Sequence, residues 1–226
     1  MIKAIVFDLD DTLYEEKEYV LSGFTAIDKY LSQRNIHGFY KNAVMLFEKG
    51  VRGTIINEVL ESIEISYDKN LILFLVELYR NHIPKISLHE DSLAAIETLK
   101  PAFKLGLLTD GYLNAQKNKV NALGISNYFD VIIYTDYFGR EHWKPSPLPY
   151  LEIMNKLQFE GPELMYIGDN PLKDFVTAKK LKWNTIYIER QSGEYIGKMV
   201  SSEFKADYTI QTLYELIELL LCKKIK

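Results

Sequence analysis

The chain has 226 residues, a formal net charge of -4 and 47% hydrophobic residues, a composition that supports a sizeable buried core. The acidic balance, with no dense run of lysine and arginine, argues against nucleic acid as a partner, and no stretch approaches the roughly 20 apolar residues of a membrane span. One cysteine, Cys222, excludes an internal disulfide bond, and its position predicts a buried residue of the last helix. Without a signal peptide at the amino terminus, we expect a soluble, cytoplasmic protein.

The first predicted element is a short strand over residues 2–7. Its nearly unbroken apolar sequence is typical of a strand buried on both faces in a parallel sheet. The strand runs directly into Asp8, Asp10 and Asp11. Three carboxylates at the end of an apolar strand are costly unless hydrogen-bond donors, water or a cation neutralise them, so this position favours a divalent metal site.

The pattern then becomes helical. Apolar residues recur every three or four positions over residues 16–33, 39–49, 54–63 and 70–82. We predict that residues 15–86 form an all-helical cap domain, inserted after the first strand and lying above the strand ends. Residues 1–14 and 87–226 are then an α/β core.

In the core segment, helices alternate with strands. The predicted strands cover residues 104–108, 131–134, 165–167, 185–188 and 208–210, and the predicted helices cover residues 91–100, 114–123, 149–157, 172–181 and 212–223. This alternation predicts a Rossmann-like parallel sheet with right-handed crossovers. Two strands end in further acid-bearing turns, at Asp110 and Asp169. Because neighbouring strands lie about 4.8 Å apart, these acids converge with Asp8 if the three strands are adjacent.

Four motifs follow one another along the chain. They are DLDDTL at residues 8–13, LLTDG at 107–111, WKPSP at 143–147 and IGDNPLKD at 167–174. With this set the chain resembles the haloacid dehalogenase (HAD) superfamily, which consists mostly of phosphatases that work through an aspartyl-phosphate. It looks like the branch with a helical cap after the first strand, and the resemblance covers nearly the whole chain. It implies a HAD fold and a Mg²⁺-dependent phosphatase acting on a small phosphorylated metabolite.

The resemblance also implies roles for the acids. Asp8 is the expected nucleophile, and Asp10 is the expected general acid and base. The carboxylates of Asp8 and Asp169 and the backbone carbonyl of Asp10 are the expected Mg²⁺ ligands, with Asp174 ligating or orienting nearby. Taken alone, Asp174 could equally be a first-turn acid that complements the dipole of the helix predicted over residues 172–181.

The second and third motifs are expected to hold the phosphoryl group. The Thr109 hydroxyl, the backbone amides of Asp110 and Gly111 and the Lys144 ammonium are the expected phosphate-binding groups, and Thr109 and Lys144 also count as catalytic residues. The segment before Lys144, residues 138–143, is bulkier than the family's third motif.

Other readings of the same residues stay open. A phosphomutase shares this scaffold, and a non-catalytic protein could keep the fold to bind a phosphorylated ligand or an assembly partner. Arg34 and Arg52 in the cap are candidates for binding a substrate anion, although arginines on helix surfaces are common. The apolar last helix packs either on the sheet or on a second copy, so a monomer and a homodimer are both compatible with the sequence.

Overall fold

The computed structural model describes residues 1–221, which build a six-stranded parallel sheet in the order β3-β2-β1-β4-β5-β6. The strands are β1 (Ala4–Phe7), β2 (Lys104–Thr109), β3 (Val131–Tyr134), β4 (Leu164–Gly168), β5 (Asn184–Ile188) and β6 (Tyr208–Ile210). All five strand pairings are parallel. The predicted α/β fold with a parallel, Rossmann-like sheet is therefore confirmed.

Helices occupy the insertion and both faces of the sheet. The insertion contains α1 (Glu16–Ser32), α2 (Phe39–Glu48), α3 (Ile55–Ser62) and α4 (Lys69–Asn81). The core contains α5 (Glu90–Leu99), α6 (Leu113–Leu123), α7 (Pro147–Leu157), α8 (Phe175–Lys180) and α9 (Leu213–Leu221). Cys222 and the predicted end of the last helix lie outside the described residues.

Strand β1 is the centre of the sheet, flanked by β2 and β4. Its last residue, Phe7, lies opposite Leu107 of β2 and Ile167 of β4. Because the three strands are parallel and in register here, their carboxyl ends meet at one edge. The turns that carry Asp8, Asp110 and Asp169 are therefore neighbours, as the sequence predicted for adjacent strands.

Side chains of β1 alternate between two apolar clusters, one on each face of the sheet. Ile5 and Phe7 belong to one cluster, and Ala4 and Val6 belong to the other. This double burial accounts for the unbroken apolar run in the sequence. Helix α9 packs into the first cluster through Leu213 and Leu216, so the apolar face of the last helix is covered within the chain.

The four inserted helices bury an apolar cluster of their own. Its centre includes Phe24, Ile27, Leu31 and Phe39, all nearly inaccessible to solvent. The segment that leaves the core and the segment that returns to it lie side by side, and an antiparallel bridge joins Tyr14 to Leu88. We propose that the domain boundaries lie there, after residues 14 and 86. Within residues 1–221, no helix combines the length and hydrophobicity needed to cross a bilayer.

Arg190 fixes the loop that follows β1. Its guanidinium donates two hydrogen bonds to the Thr12 carbonyl, at 2.9 and 2.8 Å, and a bidentate pair to Asp91, both at 3.0 Å. Asp91 also accepts the backbone N–H of Leu213 at 2.7 Å. A planar, always charged guanidinium suits such a junction, where it ties the loop that carries the first motif to the start of α5 and α9.

Candidate active site

Three carboxylates form a buried cluster at the carboxyl edge of the sheet. Oxygen atoms of Asp8, Asp169 and Asp174 all lie within 4.8 Å of one another. Burial, and then the nearby charge of Asp174, raise the pKa of Asp8 to about 6, while Lys144 opposes the shift. Burial and the charges of Asp174 and Asp8 also raise the pKa of Asp169. These buried carboxylates repel one another, and their oxygen atoms are the ligands that Mg²⁺ prefers. The cluster therefore fits a divalent cation such as Mg²⁺.

Asp174 enters this cluster from a turn rather than from inside a helix. The prediction of a helix over residues 172–181 was wrong at its start, because α8 begins at Phe175 and Asp174 is the residue before it. The Asp174 carboxylate accepts the backbone N–H of Asn170 at 2.9 Å, which closes the turn after β4. Gly168 is required here, since a Cβ at that position would overlap the Asp174 carboxylate.

Lys144 links two members of the cluster. Its Nζ atom donates to Asp8 Oδ1 and Asp174 Oδ1, both at 2.8 Å, and to the Tyr166 hydroxyl at 2.9 Å. Burial disfavours the ammonium, but the charges of Asp174 and Asp8 outweigh burial and raise the pKa of Lys144. The lysine is therefore a fixed cation that offsets part, but not all, of the acidic charge.

Asp110 organises the loops around the site through its side chain. Its Oδ1 atom accepts the Thr135 hydroxyl at 2.8 Å and the backbone N–H of Lys144 at 3.0 Å. Its Oδ2 atom accepts Lys173 Nζ at 3.0 Å. Burial opposes ionisation of Asp110, but Lys144 and Lys173 outweigh it and lower its pKa. The sequence predicted only the backbone amide of Asp110 as functional.

Asp10 lies across the site from Lys144 and has separate partners. Lys119 Nζ donates to its Oδ1 at 2.7 Å, Gln116 Nε2 donates to its Oδ2 at 2.8 Å, and the Tyr14 hydroxyl also donates to Oδ1. Burial would raise the pKa of Asp10, but Lys119 and the hydrogen bonds outweigh burial and lower it. Asp10 and Asp8, two residues apart, thus have pKa values shifted in opposite directions.

The Gln116 side chain also contacts the second motif, residues 107–111. Its Nε2 atom also donates to the Asp110 carbonyl and lies 2.7 Å from the Thr109 hydroxyl oxygen. A Cβ on Gly111, whose φ is +129°, would lie 3.1 Å from the Gln116 side-chain carbon, so glycine is needed for this close contact.

Sequence reasoning missed Gln116, Lys119, Lys173 and Tyr14. Gln116 and Lys119 are only 1% and 4% exposed, although both types are usually solvated. Their spacing of three places both on one face of the predicted helix over residues 114–123, and this was the available signal. Lys173 precedes Asp174 in the fourth motif and lines the same cavity as Asp8 and Asp169.

Comparisons with known proteins identify the family of the chain. The profile of the haloacid dehalogenase-like hydrolase family matches residues 5–188, and the chain belongs to that family. The chain is similar to the glyceraldehyde 3-phosphate phosphatase of Methanocaldococcus jannaschii, with 29% identity over 233 residues and 97% of both chains covered. It is also 25% identical over 169 residues to the phosphoglycolate phosphatase of Aquifex aeolicus, covering 74% of this chain and 76% of that one.

Solved structures of the same fold are also similar. The HAD-hydrolase YfnB from Bacillus subtilis, whose crystal structure contains magnesium, superimposes with a TM-score of 0.72 at 19% identity, covering 97% of this chain and 98% of that one. A HAD phosphatase from Thermococcus onnurineus gives a TM-score of 0.63 at 26% identity, with 97% and 98% covered. These likenesses confirm the predicted HAD fold.

The raised pKa values of the acidic cluster predict how Mg²⁺ stabilisation depends on pH. In the unfolded chain Asp8 has an ordinary pKa near 3.8, whereas in the metal-free fold it is about 6. Because the folded state holds the Asp8 proton more tightly than the unfolded chain does, the fold loses stability as pH rises from about 4 to about 6. Below about pH 6, Mg²⁺ must displace the proton of the Asp8 carboxyl group before it can bind there. We expect the increase in Tm caused by Mg²⁺ to be larger at pH 8 than at pH 5.

Thermal unfolding at both pH values, with and without Mg²⁺, measures this dependence. At a hundredfold excess over Kd the stabilisation is about 2.7 kcal/mol. The Asp169→Asn variant is the control and should lose most of the increase at pH 8. An equal or larger increase at pH 5 would contradict the interpretation of the cluster as a cation site.

Proposed function

We propose that this protein is a Mg²⁺-dependent phosphatase that hydrolyses a small phosphorylated metabolite through a phosphoryl group carried by Asp8. The observation that carries the proposal is the arrangement of Asp8, whose Oδ1 is held by Lys144 at 2.8 Å beside Asp169 and Asp174. Family membership and similarity to proteins named as phosphatases support it. Mg²⁺, when bound by Asp8 and Asp169 with the Asp10 carbonyl and Asp174 nearby, neutralises phosphoryl charge and orients the ester.

In the first step, a carboxylate oxygen of Asp8 attacks phosphorus. A bond forms between Asp8 and phosphorus, and the bond between phosphorus and the leaving oxygen breaks. Lys144 keeps the Asp8 carboxylate in one orientation, and among residues 1–221 only its Oδ1 atom accepts a side-chain hydrogen bond. The Oδ2 atom, which accepts no side-chain hydrogen bond within these residues, is therefore the oxygen available to attack phosphorus.

Asp10 moves the protons. It protonates the leaving oxygen in the first step and takes a proton from the attacking water in the second, when the bond between Asp8 and phosphorus is hydrolysed. Lys119, Gln116 and Tyr14 stabilise its ionised form before substrate binds. A bound phosphoryl group adds negative charge next to Asp10 and raises its pKa, which favours the protonated form that the first step needs.

The transferring group is held by donors from two motifs. The Thr109 hydroxyl and the backbone amides of Asp110 and Gly111 are positioned at the end of β2, where Gln116 fixes their conformation. Lys144 and Lys173 supply positive charge on the opposite side, and both are themselves anchored to Asp110. Preorganised donors of this kind stabilise charge that develops during phosphoryl transfer.

Replacement of the nucleophile tests the proposal. We expect Asp8→Asn to lower phosphate release from p-nitrophenyl phosphate with Mg²⁺ by roughly 10⁴-fold or more, because an amide cannot form the acyl phosphate. Asp28→Asn is a matched control in α1, where the side-chain oxygen only accepts the Tyr40 backbone N–H. Undiminished turnover in Asp8→Asn would refute a phosphoryl-Asp8 intermediate.

Replacement of Gln116 tests its role in positioning Asp10. Nitrophenolate departs without a proton, whereas an alkoxide needs one, so loss of positioned Asp10 matters mainly for alkyl esters. We expect Gln116→Leu to lower kcat/KM, which reports only the steps up to departure of the alcohol and not the second step shared by both esters, by about 10²-fold for glycerol phosphate and by clearly less for p-nitrophenyl phosphate. Gln211→Leu, at an exposed position, is the control. Equal losses with both esters would show that Gln116 acts on the fold or on phosphate binding instead.

A further inference from the structure

A cavity of about 440 Å³ lies between the inserted helices and the core. Asp10, Asp110 and Gly111 line this cavity and also line the smaller cavity of about 150 Å³ that contains Asp8 and Asp169. The two cavities are therefore adjacent, and the larger one is within reach of the alcohol portion of an ester bound at Asp8.

The walls of the larger cavity, which we call the chamber, are mostly apolar. Helices α1–α4 contribute Val20, Phe24, Phe47, Ile55, Ile56 and Val76. The core contributes Tyr112, Ala115 and Trp143 on the opposite side. Carboxylate and ammonium groups are concentrated near the phosphoryl position, where Asp10, Glu16 and Lys119 meet. This separation resembles ligand pockets in which apolar walls provide affinity and a few polar groups fix orientation.

Two arginines also line the chamber, and each is stacked on an aromatic ring. The Arg52 guanidinium lies 4.0 Å from the centre of the Phe47 ring, and its Nη1 donates to the carbonyls of Phe47 and Val51 at 2.8 and 2.9 Å. The Arg80 guanidinium lies 3.7 Å from the centre of the Tyr112 ring and donates to the Tyr112 hydroxyl at 2.8 Å. Stacking and these hydrogen bonds fix both guanidinium groups against aromatic side chains of the chamber wall.

We infer that the substrate is a phosphate monoester whose alcohol carries an aromatic ring or branched apolar group, larger than a three-carbon unit. This inference rests on the proposed phosphatase function and adds the chemical class of the leaving group. A short polar alcohol, as in the substrates for which the similar phosphatases are named, would leave these apolar walls facing water. A ring-sized apolar group would displace that water and cover the aromatic side chains.

A pair of alkyl esters tests the inference in the wild-type protein. Phenethyl phosphate and the primary phosphate ester of glycerol both release a primary alcohol, so they differ mainly in the apolar ring. We expect kcat/KM with Mg²⁺ to be on the order of tenfold or more higher for phenethyl phosphate, which is the effect of burying a phenyl side chain. Equal values, or a preference for the glycerol ester, would overturn the inference.

Matched variants on one helix locate the effect in the chamber. Val76→Asp places a charge on the chamber wall of α4, and Leu73→Asp places the same charge on the exposed side of α4, where Leu73 is 53% exposed. We expect Val76→Asp to lower kcat/KM for phenethyl phosphate by about tenfold and to change the value for the glycerol ester far less. Leu73→Asp should change neither. An equal loss for both esters in folded Val76→Asp would contradict the assignment.

A binding measurement needs neither a variant nor turnover. Phenylpropylphosphonate and propylphosphonate keep the phosphoryl oxygens but have no ester bond to break. We expect calorimetry with Mg²⁺ to give about a tenfold lower Kd for the phenyl compound. If this difference appears while no ester is hydrolysed, the phosphatase proposal fails and the apolar specificity stands. If all esters are hydrolysed without preference and the two phosphonates bind equally, the chamber inference fails alone.

Discussion

The structure depends on the neutralisation of acidic side chains gathered at the ends of three adjacent strands. Asp8, Asp10, Asp110, Asp169 and Asp174 are five of the aspartates that meet there, and lysines pair with four of these five. Lys144 contacts Asp8 and Asp174, Lys173 contacts Asp110, and Lys119 contacts Asp10. Within residues 1–221, Asp169 is the member of this group without a lysine at ion-pair distance, although it is almost fully buried. A buried carboxylate without a partner is strongly unfavourable, and this is the physical reason for the proposal that a cation binds between Asp169 and Asp8.

Because their partners differ, the carboxyl groups of Asp8 and Asp10, in the short loop after β1, have different pKa values. Asp8 is buried among other acids, and its pKa rises to about 6, whereas Lys119, Gln116 and Tyr14 lower the pKa of Asp10. Separated pKa values in neighbouring acids are the physical basis for separate roles as nucleophile and as proton carrier. Asp10 lines the chamber, so in the proposed mechanism it stands between the phosphoryl group at Asp8 and the departing alcohol.

Much of this arrangement could be predicted from the sequence because it depends on local pattern. The apolar run of β1 predicts burial on both faces, and the acids that follow β1, β2 and β4 meet once those strands are neighbours. The start of α8 could not be predicted, because the turn before it is closed by a hydrogen bond from Asn170 to Asp174. Lys119 and Lys173 were missed because their partners lie more than 60 residues away, on other elements. The chamber depends on how α1–α4 pack against the core, and helical periodicity does not reveal that packing.

Anomalous diffraction from crystals grown with Mn²⁺, an oxygen-seeking substitute for Mg²⁺, tests the central claim most directly. The account predicts one strong peak in contact with the carboxylates of both Asp8 and Asp169, and its loss in Asp169→Asn crystals that keep the same fold. Saturating Mn²⁺ with no peak between these two side chains would contradict it, because the buried acids would then have to be neutralised by protons and lysines alone.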